Sequence, residues 1–373
     1  MTDREAYIVL NMISGVGTAR FKALVENFGS PSRIFAENAE SISRIKGISR
    51  ELAEKIISWE KDIDLGDEID FAEKSGTRII TLADAEYPEI LKGIYDPPLC
   101  LYVRGKLPDF TYNSLAVVGS RRATIYGRKM AKHLTEAAVL AGWKIISGLA
   151  FGIDAVAHQA AIDAGGITVA VLGGGLARIH PQEHVPLARD VIESGGALIS
   201  EFPMKFPVNR QSFPRRNRIV SGLSEAVLIV EAGLKSGALI TAELAMEQGK
   251  DIFAVPGHAD NPQAKGCHKL IKQGAKLTED FNDILDDCEC LPGFDLREEV
   301  REKPAEPVKP AKPANLSDEE HQIIQLLEDE AKSFDYIAQE TAMQVASLNG
   351  LLTKMAMKMI IIQHPGKIYS LRR

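Results

Sequence analysis

The sequence predicts an α/β protein in which a doubly wound parallel sheet is accompanied by two smaller units rich in helix. Between Leu115 and Leu277, six short apolar runs alternate with helical patterns. The runs are 115–119, 144–147, 167–172, 197–200, 225–231 and 251–255. This alternation is typical of parallel strands joined by crossover helices. All six runs end in glycine, proline or small polar residues, so one edge of the sheet is predicted to hold a binding crevice.

Composition agrees with a globular protein of two or three domains. The chain has 373 residues, of which 45% are hydrophobic and 25% charged, both ordinary values for such proteins. The longest uncharged apolar stretch, Ala164 to Ala177, has 14 residues, which is too short to span a bilayer. The N-terminus carries acids where a signal peptide has a basic start. We therefore expect a cytoplasmic protein.

The four cysteines do not form a recognisable metal or disulfide framework. Cys288 and Cys290 make a lone CxC pair, without a second pair at zinc spacing, and Cys267 is followed by a single histidine. So few cysteines fit a reducing compartment. We predict no structural metal and no metal cofactor.

Basic residues are concentrated in two segments, although the net charge is −7. Residues 113–135 contain five basic residues and no acid, and residues 202–222 contain another five and no acid. A negative total argues against a protein that coats nucleic acid indiscriminately. Two acid-free basic segments instead indicate a local site for a polyanion.

Residues 1–70 are predicted to form a helical unit of the SAM or helix-hairpin-helix type. Two stretches, beginning at Ile13 and Ile45, each combine an apolar residue, a glycine turn and an amphipathic helix. Helix-hairpin-helix turns grip DNA backbone through their N–H groups. Ser49 replaces the second glycine of the second hairpin, and a purely structural packing role is the alternative.

The C-terminal region divides into a linker and a small folded unit. Residues 291–315 are rich in proline and charge and lack apolar periodicity, which predicts a semi-extended linker. Residues 316–373 show three helical patterns followed by two apolar runs around Pro365-Gly366, which predicts a winged-helix-like unit. The sheet domain between these units is assigned to residues 71–290.

The loop after the first apolar run carries the strongest signal for an anion site. The run ends in Gly119 and Ser120, followed by Arg121 and Arg122, and a helical pattern then begins. Free N–H groups at a helix N-terminus attract anions, and guanidinium groups strengthen the attraction. An ordinary turn with solvated arginines is the alternative for this loop taken alone.

Nucleotide cofactors with known fingerprints are not supported. The dinucleotide pattern GxGxxG is absent after the first run, where the sequence is GSRRAT, and no GxxxxGK[ST] occurs. Nucleophilic catalysis requires a serine or cysteine beside an oriented histidine. Asp154 and His158 lie four residues apart on one predicted helix, and we expect them to hydrogen-bond to each other in a structural role.

Phe213 to Val220, FPRRNRIV, has the composition of a single-strand binding element. Arg215, Arg216 and Arg218 supply cations for phosphates, and Asn217 and Phe213 supply an amide and an aromatic plane for bases. A solvated basic helix face is the alternative. The absence of acids in the segment favours the nucleic-acid interpretation.

The chain resembles the DNA-processing DprA (Smf) family from about residue 80 to 280. Eight ordered motifs carry the resemblance: VGSRRATIYG, SGLAFGIDAVAH, VLGGGLARIHP, SEFP, FPRRNRIVSGLS, VEAGLKSGALITAELA, FAVPG and GCHKLIKQGAKL. It implies an extended Rossmann-like domain flanked by the helical and winged-helix-like units. It also implies a homodimer that binds single-stranded DNA, protects incoming DNA and loads the recombinase RecA in natural transformation, without enzymatic activity.

The resemblance assigns DNA contacts residue by residue. They are Ser120 and Arg121, Gly173 and Gly175, Arg216, Asn217 and Arg218, with Ser236 and Gly237 as a helix N-terminus. Leu270 and Ile271 are implied at a dimer or RecA surface. The family often has a lysine where this chain has Gln182 after His180-Pro181, and Arg178 is the candidate replacement.

An enzyme of the Rossmann-type nucleotide phosphoribohydrolase class is the alternative function. Such enzymes use a PGGxGTxxE motif, whereas this chain has EAGLKSGALITAE from Glu231 onward. Release of free base from nucleoside monophosphates, dependent on Glu231, would favour the enzyme.

Overall fold

The computed structural model describes residues 1–288, 318–327, 332–341, 343, 348, 351–352, 355, 360–364 and 368–371. The chain separates into two compact units, Met1–Pro292 and Gly293–Arg373. The predicted linker at 291–315 lies outside the described residues.

The N-terminal region of the first unit is helical. Its helices are Asp3–Met12 (α1), Thr18–Phe28 (α2), Pro31–Ile34 (α3), Ala39–Ser43 (α4), Arg50–Ile57 (α5) and Leu65–Lys74 (α6). The hairpin turns use Gly15 and Gly47, both at positive φ, where glycine has no steric penalty. At the second turn, the Ser49 hydroxyl accepts a hydrogen bond from the Leu52 N–H at 3.2 Å. Ser49 thus replaces a glycine with a side-chain cap of α5.

Nine strands of the described chain form one sheet. They are Thr77–Thr81 (β1), Cys100–Gly105 (β2), Ser114–Val118 (β3), Lys144–Ser147 (β4), Thr168–Val171 (β5), Ala197–Ser200 (β6), Ala226–Ile229 (β7), Asp251–Ala254 (β8) and Lys276–Leu277 (β9). Their order is β1-β2-β6-β5-β4-β3-β7-β8-β9. From β6 to β9 all pairs are parallel, and β1 and β2 extend the sheet antiparallel.

The remaining helices of this unit connect and cover the strands. They are Glu89–Lys92 (α7), Ile125–Leu140 (α8), Ile153–Asp163 (α9), Val185–Glu193 (α10), Ser212–Gly222 (α11), Gly237–Glu247 (α12), Lys265–Lys272 (α13) and Asn282–Cys288 (α14). No helix in the described ranges combines the length and apolar character that a membrane crossing requires.

Hydrophobic clusters cover both faces of the sheet, which explains why its strands are continuous apolar runs. Leu115 and Val117 of β3 pack with Trp143 on one face, and Ala116 and Val118 pack with Ile219 of α11 on the other. Toward the β2 side, the N-terminal helices share a core with the strands through residues such as Tyr102. The helical region is therefore packed onto the sheet.

All six strands predicted from the apolar runs are present, with ends that shift by no more than two residues. Two further strands, β1 and β2, form the antiparallel extension. β9 is not predicted from the sequence, because its two residues, Lys276 and Leu277, are exposed and give no apolar run.

The second unit contains Asp318–Leu327 (α15), Lys332–Ser333 (β10), Phe334–Thr341 (α16), Ile361–His364 (β11) and Ile368–Leu371 (β12). The strands pair antiparallel in the order β10-β12-β11. Described positions 348, 351, 352 and 355 are helical, and Leu348, Leu352 and Met355 join Ile323 and Ile337 in its core. The predicted turn at Pro365-Gly366 lies outside the described residues.

Candidate nucleic-acid interface

A pocket of about 540 Å³ lies at the carboxyl ends of the central strands. Its lining comes from the β3–α8, β4–α9 and β7–α12 loops, from α11 and from Gln263. In the sheet, β4 lies on one side of β3 and β7 lies on the other. Crossovers therefore leave β3 and β7 in opposite directions, and ligands of doubly wound sheets bind at such a switch point. The predicted crevice is present at this edge.

The β3–α8 loop forms the floor of the pocket through close backbone contacts. A Cβ on Gly119 would lie 2.6 Å from Ile153, so only glycine fits without displacement of α9. The Ser120 N–H donates to the carbonyl of Glu231 at 2.7 Å, and the Ser120 hydroxyl accepts from the Arg122 N–H at 3.1 Å. These bonds fix the loop, while the side chains of Arg121 and Arg122 remain exposed at the rim.

Phe213 brings an aromatic ring to the pocket wall. The guanidinium carbon of Arg121 lies 4.8 Å from the ring centroid, a cation–π arrangement. The His180 ring lies 6.2 Å from the same centroid. A cation stacked over a ring beside a second ring offers both phosphate attraction and a base-stacking surface.

Arg216 lines the pocket, but its side chain is buried beneath the surface and is not free to move into solvent. It is only 4% exposed, and its Nη1 donates to the Val171 carbonyl at 2.5 Å. Burial lowers the pKa of this guanidinium to about 10, partly offset by Asp154 and reinforced by Arg121. Its Nε atom is buried without a partner in the described chain. Arg216 therefore contributes a fixed positive charge below the pocket.

Asp154 is the acid that faces this charge. Its Oδ2 accepts hydrogen bonds from the N–H groups of Gly148 at 3.1 Å and Ala150 at 3.3 Å. Burial raises the pKa of the carboxyl, and Arg216 and the backbone bonds oppose the rise. The carboxylate thus occupies the N–H groups of the β4–α9 loop that could otherwise bind an anion.

The predicted pair between Asp154 and His158 is wrong. The Nδ1 of His158 lies 2.7 Å from the hydroxyl of Thr168, which itself donates to the Ile145 carbonyl at 2.9 Å. His158 is fully buried, and burial lowers its pKa to about 3. The prediction failed because the i, i+4 spacing does not reveal that the two side chains have nearer partners in the β4–α9 loop and in β5.

Arg215 and Arg218 lie outside the pocket lining. Arg218 donates to Glu201 at 2.7 Å and to Asp96 at 3.1 Å. Arg215 is 3.2 Å from the same Glu201 carboxylate and lies over the Phe202 ring at 5.0 Å. Burial alone would lower the pKa of Arg218, but Glu201 and Asp96 outweigh it and the pKa is raised. The ion pairs of these two arginines with Glu201 hold α11 against the end of β6.

The β7–α12 loop closes the opposite side of the pocket. Ser236 caps α12, with its hydroxyl accepting from the Ala238 N–H at 3.3 Å, and Gly237 is the first helical residue. Asn217 of α11 faces this helix end, 3.5 Å from the Gly237 carbonyl. The helix N-terminus points into the pocket, as the sequence predicts.

The glycine loop after β5 does not line the pocket directly. A Cβ on Gly175 would lie 2.0 Å from the Pro203 carbonyl, and one on Gly173 would lie 3.2 Å from Phe213. The loop therefore supports the ring that lines the pocket. Arg178 and Gln182 are exposed on the segment that follows.

Leu270 and Ile271, implied at a partner surface, have different environments. Leu270 is buried in the core beneath α13, whereas Ile271 is half-buried at its edge. Only Ile271 offers partial exposure.

Lys235 and Gln263 are pocket residues that are not among the sites predicted from the sequence. Lys235 lines the pocket beside Ser236, and the Gln263 Oε1 accepts from the Ser120 hydroxyl at 3.3 Å. Lys235 could have been inferred, since it directly precedes the predicted helix N-terminus. Gln263 follows β8 at a distance in sequence, and no local signal marks it.

No group of three or more His, Cys, Asp or Glu side chains suited to a metal occurs in the described ranges. Cys100, Cys267 and Cys288 are free thiols, and Cys290 lies outside these ranges. Glu231, the residue on which the alternative enzyme depends, is buried: its Oε2 accepts from the N–H and hydroxyl of Thr124 at 3.0 and 3.1 Å.

Comparison with known proteins gives three family matches along the chain. Residues 78–289 match the model of DNA recombination-mediator protein A, residues 7–58 a SAM-like helix-hairpin-helix tandem, and residues 307–367 the DprA winged helix domain. Together they confirm the predicted fold class of an α/β domain with these two flanking units.

Individual relatives agree. The chain is 50% identical to Protein Smf of Escherichia coli K12 over 55% of its own length and 55% of that protein, so it spans about half the length of this curated relative. The X-ray structure of DNA processing protein A from Streptococcus pneumoniae matches with a TM-score of 0.65 and 32% identity, covering 77% of this chain and 98% of that one.

A second solved structure concerns the single-stranded DNA binding mode of DNA processing protein A from Helicobacter pylori. It matches with a TM-score of 0.52 and 27% identity, over 58% of this chain and 97% of that one. The family model covers more than half of the chain, and the eight sequence motifs lie within or at the edge of the region it matches. The chain therefore belongs to the DNA recombination-mediator protein A family, the DprA (Smf) family that its motifs resemble.

Proposed function

We propose that this protein binds single-stranded DNA in the pocket at the switch point and acts as a recombination mediator. In this role it protects incoming DNA and loads RecA during natural transformation, as a cytoplasmic homodimer and without catalysis. The whole-protein role rests on family membership, and the DNA site rests on the pocket.

The observation that carries the proposal is the composition of the pocket rim. Arg121, Arg122 and Lys235 are exposed there, and Phe213 presents a ring beneath Arg121. Single-strand sites combine cations that follow the backbone with aromatic planes on which bases stack. A pocket about 540 Å³ in volume has room for one nucleotide and leaves the rest of a strand outside.

The similarity to relatives supports the same ligand. The Helicobacter pylori protein is described by its single-stranded DNA binding mode. The pneumococcal relative is a DNA processing protein. We extend these descriptions to this chain through the shared fold and the residues at its sheet edge.

Non-enzymatic action is favoured by what the pocket presents. Ser120 and Ser236 line it, but His158 does not line it and is buried and bonded to Thr168. Glu231 is committed to Thr124 at the N-terminus of α8. No serine–histidine–acid arrangement thus forms among the described lining residues. Free base released from nucleoside monophosphates would contradict this part of the proposal.

The DNA site is tested by filter binding of an oligothymidylate to the variant Arg121→Ala with Arg122→Ala. We expect the affinity to fall at least about tenfold, equivalent to ~1.4 kcal/mol. The slope of log affinity against log salt should fall by about 1.4, because two phosphate contacts are lost. The matched control is Lys74→Ala with Arg78→Ala, two exposed cations outside the helix-hairpin-helix turns. Unchanged affinity of the first variant would refute the site.

The partner roles need separate measurements. RecA loading predicts faster RecA filament formation on DNA already covered by a single-strand-binding protein. The homodimer predicts a sedimentation coefficient that decreases on dilution. Ile271→Glu is the appropriate interface variant, because Leu270 is buried and its replacement would disturb the core.

A further inference from the structure

We propose that the exposed face of α8 is a second contact for the DNA strand, beyond the pocket. This α8 cationic face consists of Arg128, Lys129 and Lys132. The inference rests on the proposed function, since it concerns the path of the same strand after it leaves the pocket.

The α8 cationic face is continuous with the pocket along the chain. Arg121 and Arg122 line the pocket, and α8 begins three residues later at Ile125. Residues three and four apart share one side of a helix, so Arg128, Lys129 and Lys132 project together, and all three are exposed. The opposite side of α8 is buried through Ala131, Leu134, Thr135 and Ala138.

Arg128 and Lys129 lack the acid partner that several other exposed helical cations have. Arg44, Arg50 and Lys55 on the N-terminal helices each pair with a glutamate one turn away, at 2.6, 3.1 and 2.7 Å. In the described residues, Arg128 and Lys129 form no ion pair, and Lys132 approaches only Glu136, at 3.7 Å. The face therefore keeps its positive charge.

The position of the charges is unfavourable for the helix itself. The first turn of α8 contains no acid, and Arg128 and Lys129 follow it directly. Cations near a helix N-terminus oppose the macrodipole, which favours negative charge there. Glu231 is the carboxylate at this helix N-terminus, where it accepts from Thr124, but it is buried and forms no ion pair with Arg128 or Lys129 among the described residues. The two exposed cations therefore remain available for an external anion.

Two exposed side chains, Ile125 and Tyr126, lie in the sequence between the pocket arginines and the α8 cationic face. Ile125 is 90% exposed and Tyr126 is 45% exposed, with the Tyr126 hydroxyl donating to the Pro256 carbonyl at 2.9 Å. This bond holds one end of the ring in place. An exposed ring among cations can stack on an unpaired base, whereas the bases of a duplex are already stacked on each other and cannot contact it in this way.

The dimensions fit a short extension of a single strand. Arg128 to Lys132 spans about 6 Å along the helix at 1.5 Å per residue, which accommodates two or three successive phosphates at about 3.4 Å per strand. Charge complementarity thus favours a nucleic-acid backbone as the occupant of this face.

The test compares short and long oligothymidylates, of about 4 and about 20 nucleotides, with the triple variant Arg128→Gln, Lys129→Gln, Lys132→Gln. We expect about tenfold weaker binding of the long oligomer and a salt slope smaller by about 2, at ~0.7 per lost contact. Binding of the short oligomer should stay within about twofold. The matched control, Lys74→Gln with Arg78→Gln and Lys106→Gln, removes the same charge at exposed positions outside the helix-hairpin-helix turns and should bind both oligomers like the wild type.

Other outcomes separate this inference from the pocket assignment. In one such outcome, Arg121→Ala with Arg122→Ala weakens the binding of both oligomers, whereas the triple variant binds both like the wild type. This result would support the pocket and overturn the α8 contact. Equal loss of short and long oligomers in the triple variant, or an equal loss for duplex DNA, would also overturn it. A wild-type protein without single-strand affinity would overturn both proposals. The thermal midpoint of the triple variant should match or exceed that of the wild type, because the cations oppose the helix dipole.

Discussion

Residues 113–135 and 202–222 each contain five basic residues and no acid, but their cations have different surroundings in the fold. In the first segment, Arg121, Arg122, Arg128 and Lys129 are exposed and form no ion pair with a described residue. In the second, Lys205 pairs with Asp67 at 2.7 Å, Arg215 and Arg218 pair with Glu201, and Arg216 is buried.

The difference arises from acids that lie outside the second segment. Glu201 directly precedes it, and Asp67 and Asp96 belong to distant parts of the chain. An acid-free stretch therefore does not by itself give an uncompensated surface. The first segment supplies free charge for a ligand, whereas most of the second anchors α11 so that Phe213 and Asn217 face the pocket.

The largest effect on the free energy of unfolding is expected from Arg218→Ala, which breaks the buried ion pair between this residue of the second segment and Glu201. Removing Arg218 leaves the buried Glu201 with only the more exposed Arg215, at 3.2 Å, and breaking a buried pair costs up to about 3–5 kcal/mol of unfolding free energy. Urea denaturation measures it. Arg128→Ala on α8 is the control and should change stability by less than about 0.5 kcal/mol. Equal effects of the two variants on stability would contradict the difference between a paired, buried cation in residues 202–222 and an exposed, unpaired cation in residues 113–135.

A smaller effect is expected from the protonation of His158, which lies under the influence of Arg216. Burial, with Arg216 and His184, lowers the pKa of His158 from 6.5 to about 3. Below pH ~6.5 the unfolded chain takes up a proton on this histidine that the folded chain excludes. The contribution of His158 to the free energy of unfolding is therefore fully present above pH ~6.5 and decreases by ~1.4 kcal/mol per pH unit between pH ~6.5 and the folded-state pKa of about 3.

His158→Asn tests this slope, because asparagine can still bond to Thr168 but cannot protonate in this range. Below pH ~6.5 its unfolding free energy should depend less steeply on pH than that of the wild type. Gln159→Asn, an exposed and non-titrating position on α9, should retain the wild-type slope. A wild-type slope in His158→Asn would contradict the buried neutral histidine.

The smallest effect concerns the acid inside the pocket. Asp154→Asn keeps an oxygen for the N–H groups of Gly148 and Ala150, which both bond to Oδ2, and removes a negative charge that faces Arg216 and Arg121. At pH ~7.5 the variant should bind an oligothymidylate roughly two- to fivefold more tightly.

This advantage should shrink as the pH falls. Burial raises the pKa of Asp154, with Arg216 and the backbone bonds opposing the rise, so the wild-type carboxyl becomes neutral at a higher pH than an ordinary aspartate. Asp163→Asn, exposed at the far end of α9, serves as the control. Weaker binding by Asp154→Asn at every pH would show that the carboxylate supports the ligand instead of repelling it.

The strands could be predicted because their signals are local. Buried parallel strands such as β3 and β4 are uninterrupted apolar runs that end at glycine or serine. The sheet order could not be read from these runs, and neither could the position of β3 between β4 and β7, which depends on crossover directions.

The pocket was predictable to the extent that its residues follow strand ends. Ser120, Arg121, Ser236 and Gly237 lie there. Arg218 shares a segment with Asn217 but points to Glu201, and that orientation depends on helix phase and on an acid seventeen positions away. Gln263 reaches Ser120 only through the fold.

The central claim is that a single strand occupies the pocket beside Phe213. The most direct measurement is ultraviolet cross-linking of an oligothymidylate that carries one 5-iododeoxyuridine, followed by mass spectrometry of the cross-linked peptides. We predict cross-links in the peptide that contains Phe213, with further cross-links at Tyr126 when the strand is long. Cross-links confined to residues 1–74 or 318–371, with none at the pocket rim, would contradict the claim.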